Sequence, residues 1–68
     1  MAVSSVTKIA ASSTVSFDDA IKTGFDRACR TVRGITDIKV LEQSMKVKQG
    51  ISISEYHVVL ELRFILEG

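Results

Sequence analysis

The sequence lacks most of the residues that cross-link or extend a small protein. It has no proline, no tryptophan, four glycines, one cysteine and one histidine among 68 residues. Cys29 has no second cysteine with which to close a disulfide, and Cys29 with His57 cannot supply the four ligands of a structural zinc site. This composition predicts a single domain, residues 1–68, with no linker.

Charge and hydropathy exclude several classes of function. Nine basic and eight acidic residues give a formal net charge of +1, so there is no basic excess for binding nucleic acid or a membrane surface. No apolar run approaches the ~20 residues that span a bilayer, and the first residues lack the pattern of a signal peptide. Together with the single free thiol, these features predict a reducing, cytoplasmic setting.

The small size of the chain predicts self-association. A chain of this length buries only about 60% of the surface that its unfolded form exposes, which makes a lone core marginal. Because neither a disulfide nor a metal compensates, we expect burial against other copies of the chain.

The middle of the chain predicts one amphipathic helix. Ser16 precedes Phe17 and two aspartates, which is typical of a capped helix start. Two arginines and Gly34 indicate the end of the helix. A glycine inside the apolar stripe, Gly24, predicts that the backbone of a strand approaches closely. The apolar residues recur at spacings of three and four, and they are Phe17, Ala20, Ile21, Gly24, Phe25, Ala28 and Val32.

Three further segments predict strands. Residues 3–11 form a short first strand, and Ser12–Thr14 form a polar connection to the helix. Residues 36–47 form a second strand whose apolar residues change parity partway along, which predicts a β-bulge. A turn at residues 48–50 leads to a third strand, residues 53–66, with strict alternation. Its core face consists of Tyr56, Val58, Leu60, Leu62, Phe64 and Leu66.

This order predicts an α+β fold, β-α-β-β, in which a small antiparallel sheet packs on one helix. One helix covers only one face of a sheet. The opposite face of the last strand, which carries charged residues together with His57, Val59 and Ile65, and the sheet edges are therefore free for neighbours.

In order, spacing and length the chain resembles the dodecins, a family in which a curved three-stranded sheet wraps around a single helix and twelve copies form a hollow sphere. The resemblance is carried by the helix start at residues 16–21, the Arg27-Ala28 pair, the helix exit at residues 32–35, the Ile38-Lys39-Val40 run and the closing run, residues 56–67. It implies a homododecamer that stores a small ligand.

The best-known dodecins bind flavins, and the resemblance implies where a flavin would lie. They stack a tryptophan from the second strand on the isoalloxazine ring, and they hydrogen-bond the ring edge with a glutamine from the third strand. Here Asp37 stands at the tryptophan position and His57 at the glutamine position. A carboxylate has no π-face, so a stacking contribution of ~1 kcal/mol is lost. The resemblance thus implies that Asp37 and His57 line the ligand pocket and that flavin binding is weakened or lost.

Residues 40–47 are similar to another branch of the family, also without the tryptophan, for which calcium binding has been proposed. Calcium takes several oxygen ligands, many of them carboxylates. The candidate ligands are Asp37, Glu42 and Glu55, and no loop of the sequence gathers them. A calcium site would therefore have to be assembled across subunits.

Three functions remain open from the sequence. The first is binding or storage of a small ligand, the second is buffering of calcium or another metal ion, and the third is a structural module whose assembly is its function. No nucleophile or carboxylate pair stands at a defined spacing from a base, so no catalysis is expected. For His57, the alternative to a ligand contact is a partly exposed polar residue, and Cys29 is expected to be a small packing residue.

Overall fold

The computed structural model describes residues 3–66, which form three strands and one helix. The elements are β1 (Val3–Ser13), α1 (Phe17–Thr31), β2 (Ile35–Lys48) and β3 (Ser52–Leu66). The strands form one antiparallel sheet in the order β1-β3-β2, so that β3 is central. The predicted α+β class and β-α-β-β order are confirmed.

The connection from β1 to α1 is held by a short hydrogen-bond network. The Ser16 hydroxyl oxygen accepts from the backbone N–H of Asp19 at 3.0 Å, which confirms the predicted helix cap. The Ser13 hydroxyl donates to the Asp19 carboxylate at 2.6 Å and accepts from the backbone N–H of Val15 at 2.9 Å. These bonds satisfy polar groups where the chain turns from strand to helix.

β1 is two residues longer than predicted. Ser12 and Ser13, expected in a polar connection, continue the strand and pair with His57 and Tyr56 of β3. The ladder of backbone hydrogen bonds with β3 continues to Ser13, so the polarity of these side chains does not end the strand.

α1 ends before the predicted glycine. Val32 is already extended, and its N–H donates to the carbonyl of Ala28 at 2.8 Å. Gly34, expected to end the helix, instead has a φ of +77° in the connection to β2, and its carbonyl accepts from the N–H of Ile65 at 3.1 Å. The glycine therefore belongs to the entry into the sheet.

The core lies between α1 and β3. The buried residues of the helix are Ala20, Gly24 and Ala28. They face the part of the predicted core stripe of β3 that is buried, which consists of Val58, Leu60 and Leu62. Leu66, predicted to lie in the same stripe, is 51% exposed, and its cross-strand neighbour Val3 is 60% exposed. The core stripe thus ends before the end of the strand.

The bulge predicted in the second strand is present at Leu41. Val40 pairs with Leu60 and Glu42 with Val59, so Leu41 is an extra residue. A second irregularity leaves Thr36 unpaired between Ile35 and Asp37. Because each extra residue shifts the side-chain parity, the bulges decide which residues of β2 share the face of the sheet that points away from the helix.

β2 is left largely uncovered by the helix. Only Ile35 of this strand is partly buried, and the molecule measures 52 × 19 × 13 Å. The accessible surface of 5213 Å² exceeds the about 4,200 Å² typical of a compact monomer of this mass. Large apolar residues of β2 and the hairpin are exposed, namely Ile38, Val40, Leu41, Met45, Val47, Ile51 and Ile53.

Candidate functional site

The candidate site is the face of the sheet that points away from α1, hereafter the outer face. It is built by the odd-numbered residues of β3 from Glu55 to Arg63 together with their cross-strand neighbours, because directly opposite residues of an antiparallel pair project to one side. The rows across the sheet are Asp37–Arg63–Val6, Lys39–Glu61–Lys8, Glu42–Val59–Ala10, Ser44–His57–Ser12 and Lys46–Glu55.

Charges of opposite sign stand next to one another on this face. Glu61 lies between Lys39 on β2 and Lys8 on β1, and Asp37 lies opposite Arg63. Strand register sets these residues opposite one another, and within residues 3–66 none of these pairs is in salt-bridge contact. The outer face is thus a mixed, polar surface without a strong field of either sign.

His57 and Glu55 are in direct contact at the end of the outer face that lies nearest the turn between β2 and β3. The imidazole Nε2 of His57 lies 2.8 Å from the carboxylate Oε2 of Glu55. They are two residues apart on one strand, which places both side chains on one side of the sheet. Because an ionised carboxylate only accepts, Nε2 carries the proton in this contact. The side chains remain 37% and 41% exposed, so both can reach a ligand.

Asp37 is held at the other end of the outer face. Its carboxylate accepts from the Thr36 hydroxyl at 3.1 Å, and the same hydroxyl lies 3.4 Å from the backbone oxygen of Arg63. Thr36 is the residue left unpaired between Ile35 and Asp37, so this irregularity itself orients Asp37. The Asp37 side chain is exposed, and Arg63 is its cross-strand neighbour in β3.

The structure places both residues predicted to line the ligand pocket on the outer face, but it does not bring them together. Asp37 pairs with Arg63, which is six residues from His57 along β3. At the rise of a β-strand this is about 20 Å. A pocket that uses both residues therefore needs Asp37 from one copy of the chain and His57 from another.

The three candidate calcium ligands are also separated. Asp37, Glu42 and Glu55 stand opposite Arg63, Val59 and Lys46. Adjacent members of this set are therefore about 13 Å apart along the sheet. Within residues 3–66, no three metal-ligating side chains lie close enough to hold an ion. A calcium site that uses them stays a prediction for the assembled protein.

The phenylalanine and tyrosine side chains lie away from the outer face. The four phenylalanine and tyrosine residues of the sequence lie on α1 or on the core stripe of β3: Phe17, Phe25, Tyr56 and Phe64. Two of them, Phe17 and Tyr56, pack edge to face with centroids 5.1 Å apart. In the described part of the outer face of one chain, the imidazole of His57 is the only aromatic group.

One expectation about a single residue is wrong, and one contact was missed. Cys29, predicted to pack beside the core, is exposed, because the buried stripe of the helix passes through its neighbour Ala28. The contact of His57 with Glu55 was not foreseen. The i, i+2 spacing of the two residues on a strand was the available signal.

The comparisons with known proteins agree on one family. A family model described as Dodecin matches residues 3–67. The chain is similar to a single-residue variant of the dodecin of Thermus thermophilus, with 28% identity, 100% of both chains covered and a TM-score of 0.92. It is also similar to the dodecin from Streptomyces davaonensis, with 27% identity, 98% of this chain and 97% of that chain covered and a TM-score of 0.90.

A further similar structure is a calcium-chelating immunodominant antigen of Mycobacterium tuberculosis, described as a calcium dodecin with a novel calcium-binding site. It shows 31% identity, covers 96% of this chain and 91% of its own, and has a TM-score of 0.81. None of the curated protein sequences matches the chain significantly. Within residues 3–66, no helix is long and apolar enough to cross a membrane.

Proposed function

Since the chain belongs to the dodecin family, we propose that it forms a homododecamer that binds and stores a small ligand between subunits, without catalysing a reaction. Asp37 and His57 line the pocket in this proposal, each contributed by a different copy. Flavin is held weakly or not at all, because Asp37 replaces the stacking tryptophan.

The uncovered second strand supports the assembly. The helix-side face of β2 carries Val40 and Met45, which are 39% and 50% exposed, opposite Leu60 and Tyr56. Burying such side chains contributes about 25 cal/mol for each Å² of apolar surface. Other copies of the chain can supply the cover that α1 does not give.

The pairing of Asp37 with Arg63 carries the proposal about the ligand. A flat apolar ring placed over this pair would remove two charged groups from water without giving them hydrogen bonds, which is unfavourable. A small polar or charged ligand could replace the water around them. The proposal therefore favours a polar ligand over a stacked ring.

Flavin titration of three proteins tests this. Quenching of flavin fluorescence is measured for the wild type, for Asp37→Trp and for Asp37→Leu, which removes the charge without adding a ring. We expect weak binding by the wild type, up to about tenfold tighter binding by Asp37→Trp, and little gain with Asp37→Leu. Tight, stoichiometric flavin binding by the wild type would contradict the proposal.

A second candidate function, calcium buffering, is favoured by the likeness to the calcium dodecin of M. tuberculosis. Because Asp37, Glu42 and Glu55 are separated in one chain, such a site would need carboxylates from several copies. Calorimetry with calcium on the assembled wild type, Asp37→Ala and Glu42→Ala tests it. A heat of calcium binding that is present in the wild type and lost in a carboxylate variant supports calcium buffering. The absence of any heat at millimolar calcium contradicts it.

A further inference from the structure

We propose that His57 and Glu55 form a binding site for a divalent cation of the zinc or copper class, one ion per chain, with water completing the coordination. The inference goes beyond the proposed function, with which it shares His57. It rests on the 2.8 Å contact between Nε2 and Oε2 on an accessible face of the sheet.

The geometry of the pair matches two neighbouring ligands of one ion. Zinc binds imidazole nitrogen and carboxylate oxygen at about 2.0–2.2 Å, so two ligands of a tetrahedral ion lie about 3.3 Å apart. The observed separation needs to open by only about half an ångström. The Glu55 side chain can make this change by rotation. The ion then takes the lone pair of Nε2, and the ring proton lies on Nδ1, so that the imidazole stays neutral.

The chemistry of the donors selects the class of ion. Imidazole suits zinc, copper and nickel, whereas calcium prefers a shell of oxygen atoms. The surroundings are small and polar, because Ser12 and Ser44 flank His57 on the two neighbouring strands. Water can therefore reach the remaining coordination positions. The ammonium group of Lys46, opposite Glu55, opposes a bound cation.

The test uses the full assembled chain with Cys29→Ser, because the exposed thiol of Cys29 is itself a zinc ligand. Calorimetry with zinc chloride gives affinity and stoichiometry. NMR of the His57 ring, with zinc and then with paramagnetic copper, shows whether the imidazole binds. We expect one ion per chain and a shift of the imidazole resonances on addition of zinc.

Substitutions of His57 and Glu55 test whether these two residues bind the ion. His57→Gln keeps a hydrogen-bond donor for Glu55 but loses the ligand nitrogen, and we expect zinc affinity to fall about tenfold or more. Glu55→Gln should weaken binding several-fold, and Lys46→Gln should strengthen it slightly. Unchanged affinity in His57→Gln, or no binding at millimolar zinc, overturns the proposal.

Asp37→Ala separates this site from the proposed function. It should leave the stoichiometry of one zinc ion per chain unchanged, because Asp37 is not a ligand of the proposed ion, while it alters the flavin and calcium titrations if Asp37 lines the pocket. Failure of the zinc experiment therefore leaves the proposed function standing. Loss of zinc binding in Asp37→Ala would contradict a site made by His57 and Glu55 alone.

Discussion

Gly24 of the helix lies against Ala11 of the first strand so closely that a Cβ atom at position 24 would stand 3.1 Å from the Cβ of Ala11. The same atom would be 3.3 Å from Cδ1 of Leu60. The Ala11 methyl cannot rotate away, because its position is fixed by the backbone of β1. The sheet does approach closely at Gly24, but the atoms nearest to it belong to side chains of β1 and β3 and not, as predicted, to a strand backbone.

We predict that Gly24→Ala lowers the free energy of unfolding by about 1 kcal/mol. The gain of ~1 kcal/mol in helix propensity is outweighed by overpacking against Ala11, which costs about 1–3 kcal/mol. Chemical denaturation at a fixed protein concentration measures this, because assembly makes stability depend on concentration. Thr23→Ala, on the exposed side of α1, is the control and should be neutral or slightly stabilising. A Gly24→Ala protein that is more stable than the wild type would show that β1 shifts to make room for the added methyl group.

The serine that begins α1 gives a second prediction. Ser16→Ala removes the acceptor of the Asp19 N–H and should lower the free energy of unfolding by about 1 kcal/mol. Ser16→Asp restores an oxygen acceptor and should cost much less. Thermal unfolding of the three proteins at one concentration compares them. Equal losses in both variants would mean that the hydroxyl acts through a contact other than the cap.

The turn between β2 and β3 predicts a stabilising substitution. Gln49 and Gly50 have φ values of +54° and +66°, and the N–H of Ile51 donates to the carbonyl of Lys48 at 3.0 Å. A non-glycine residue with positive φ is strained, whereas asparagine tolerates this region and is preferred in β-turns whose two central residues both have positive φ. Gln49→Asn should raise the free energy of unfolding by about 0.5 kcal/mol.

Gly50→Ala is the matched control for the turn. No atom lies within 4 Å of a Cβ at this position, so any loss reflects backbone strain alone. We expect a loss of about 1 kcal/mol, measured in the same denaturation series. Stabilisation by Gly50→Ala would show that the turn adopts another conformation in solution.

The fold was predictable where a periodic pattern fixes which side of an element is buried. The strict alternation through Val58, Leu60 and Leu62 located the core face of β3, and the change of parity in β2 indicated a bulge without fixing its residue, which is Leu41. The end of the helix was not predictable from local signals. Gly34 fits a helix end by composition, but its carbonyl is used by Ile65, thirty-one residues further along.

The site was predictable only in part, because its geometry depends on strand register. Asp37 and His57 each lie on the outer face, but the bulges and the pairing of β2 with β3 put them about 20 Å apart. No pattern within either strand encodes that distance. The contact of His57 with Glu55 is local, and it follows from the strand phase alone.

The exposed side of β2 gives the last prediction, which concerns assembly. Met45 lies opposite Tyr56 on the helix-side face of the sheet and is 50% exposed. If other copies cover this face, Met45→Lys places a charge in an apolar contact and forfeits roughly 1.5–3 kcal/mol of burial per copy. Gln43→Lys is the matched control, since Gln43 is exposed on the same face, opposite Val58, and gains the same charge without losing apolar surface.

Sedimentation velocity distinguishes the outcomes for Met45. The wild type should sediment as one large species, Met45→Lys should shift towards smaller species on dilution, and Gln43→Lys should shift less. Circular dichroism should show that the subunit of Met45→Lys keeps its strands and helix, because the core between α1 and β3 does not involve Met45. A wild type that sediments as a stable monomer of 7.4 kDa would show that the apolar face of β2 stays exposed to water. It would also contradict a pocket formed by Asp37 of one copy and His57 of another.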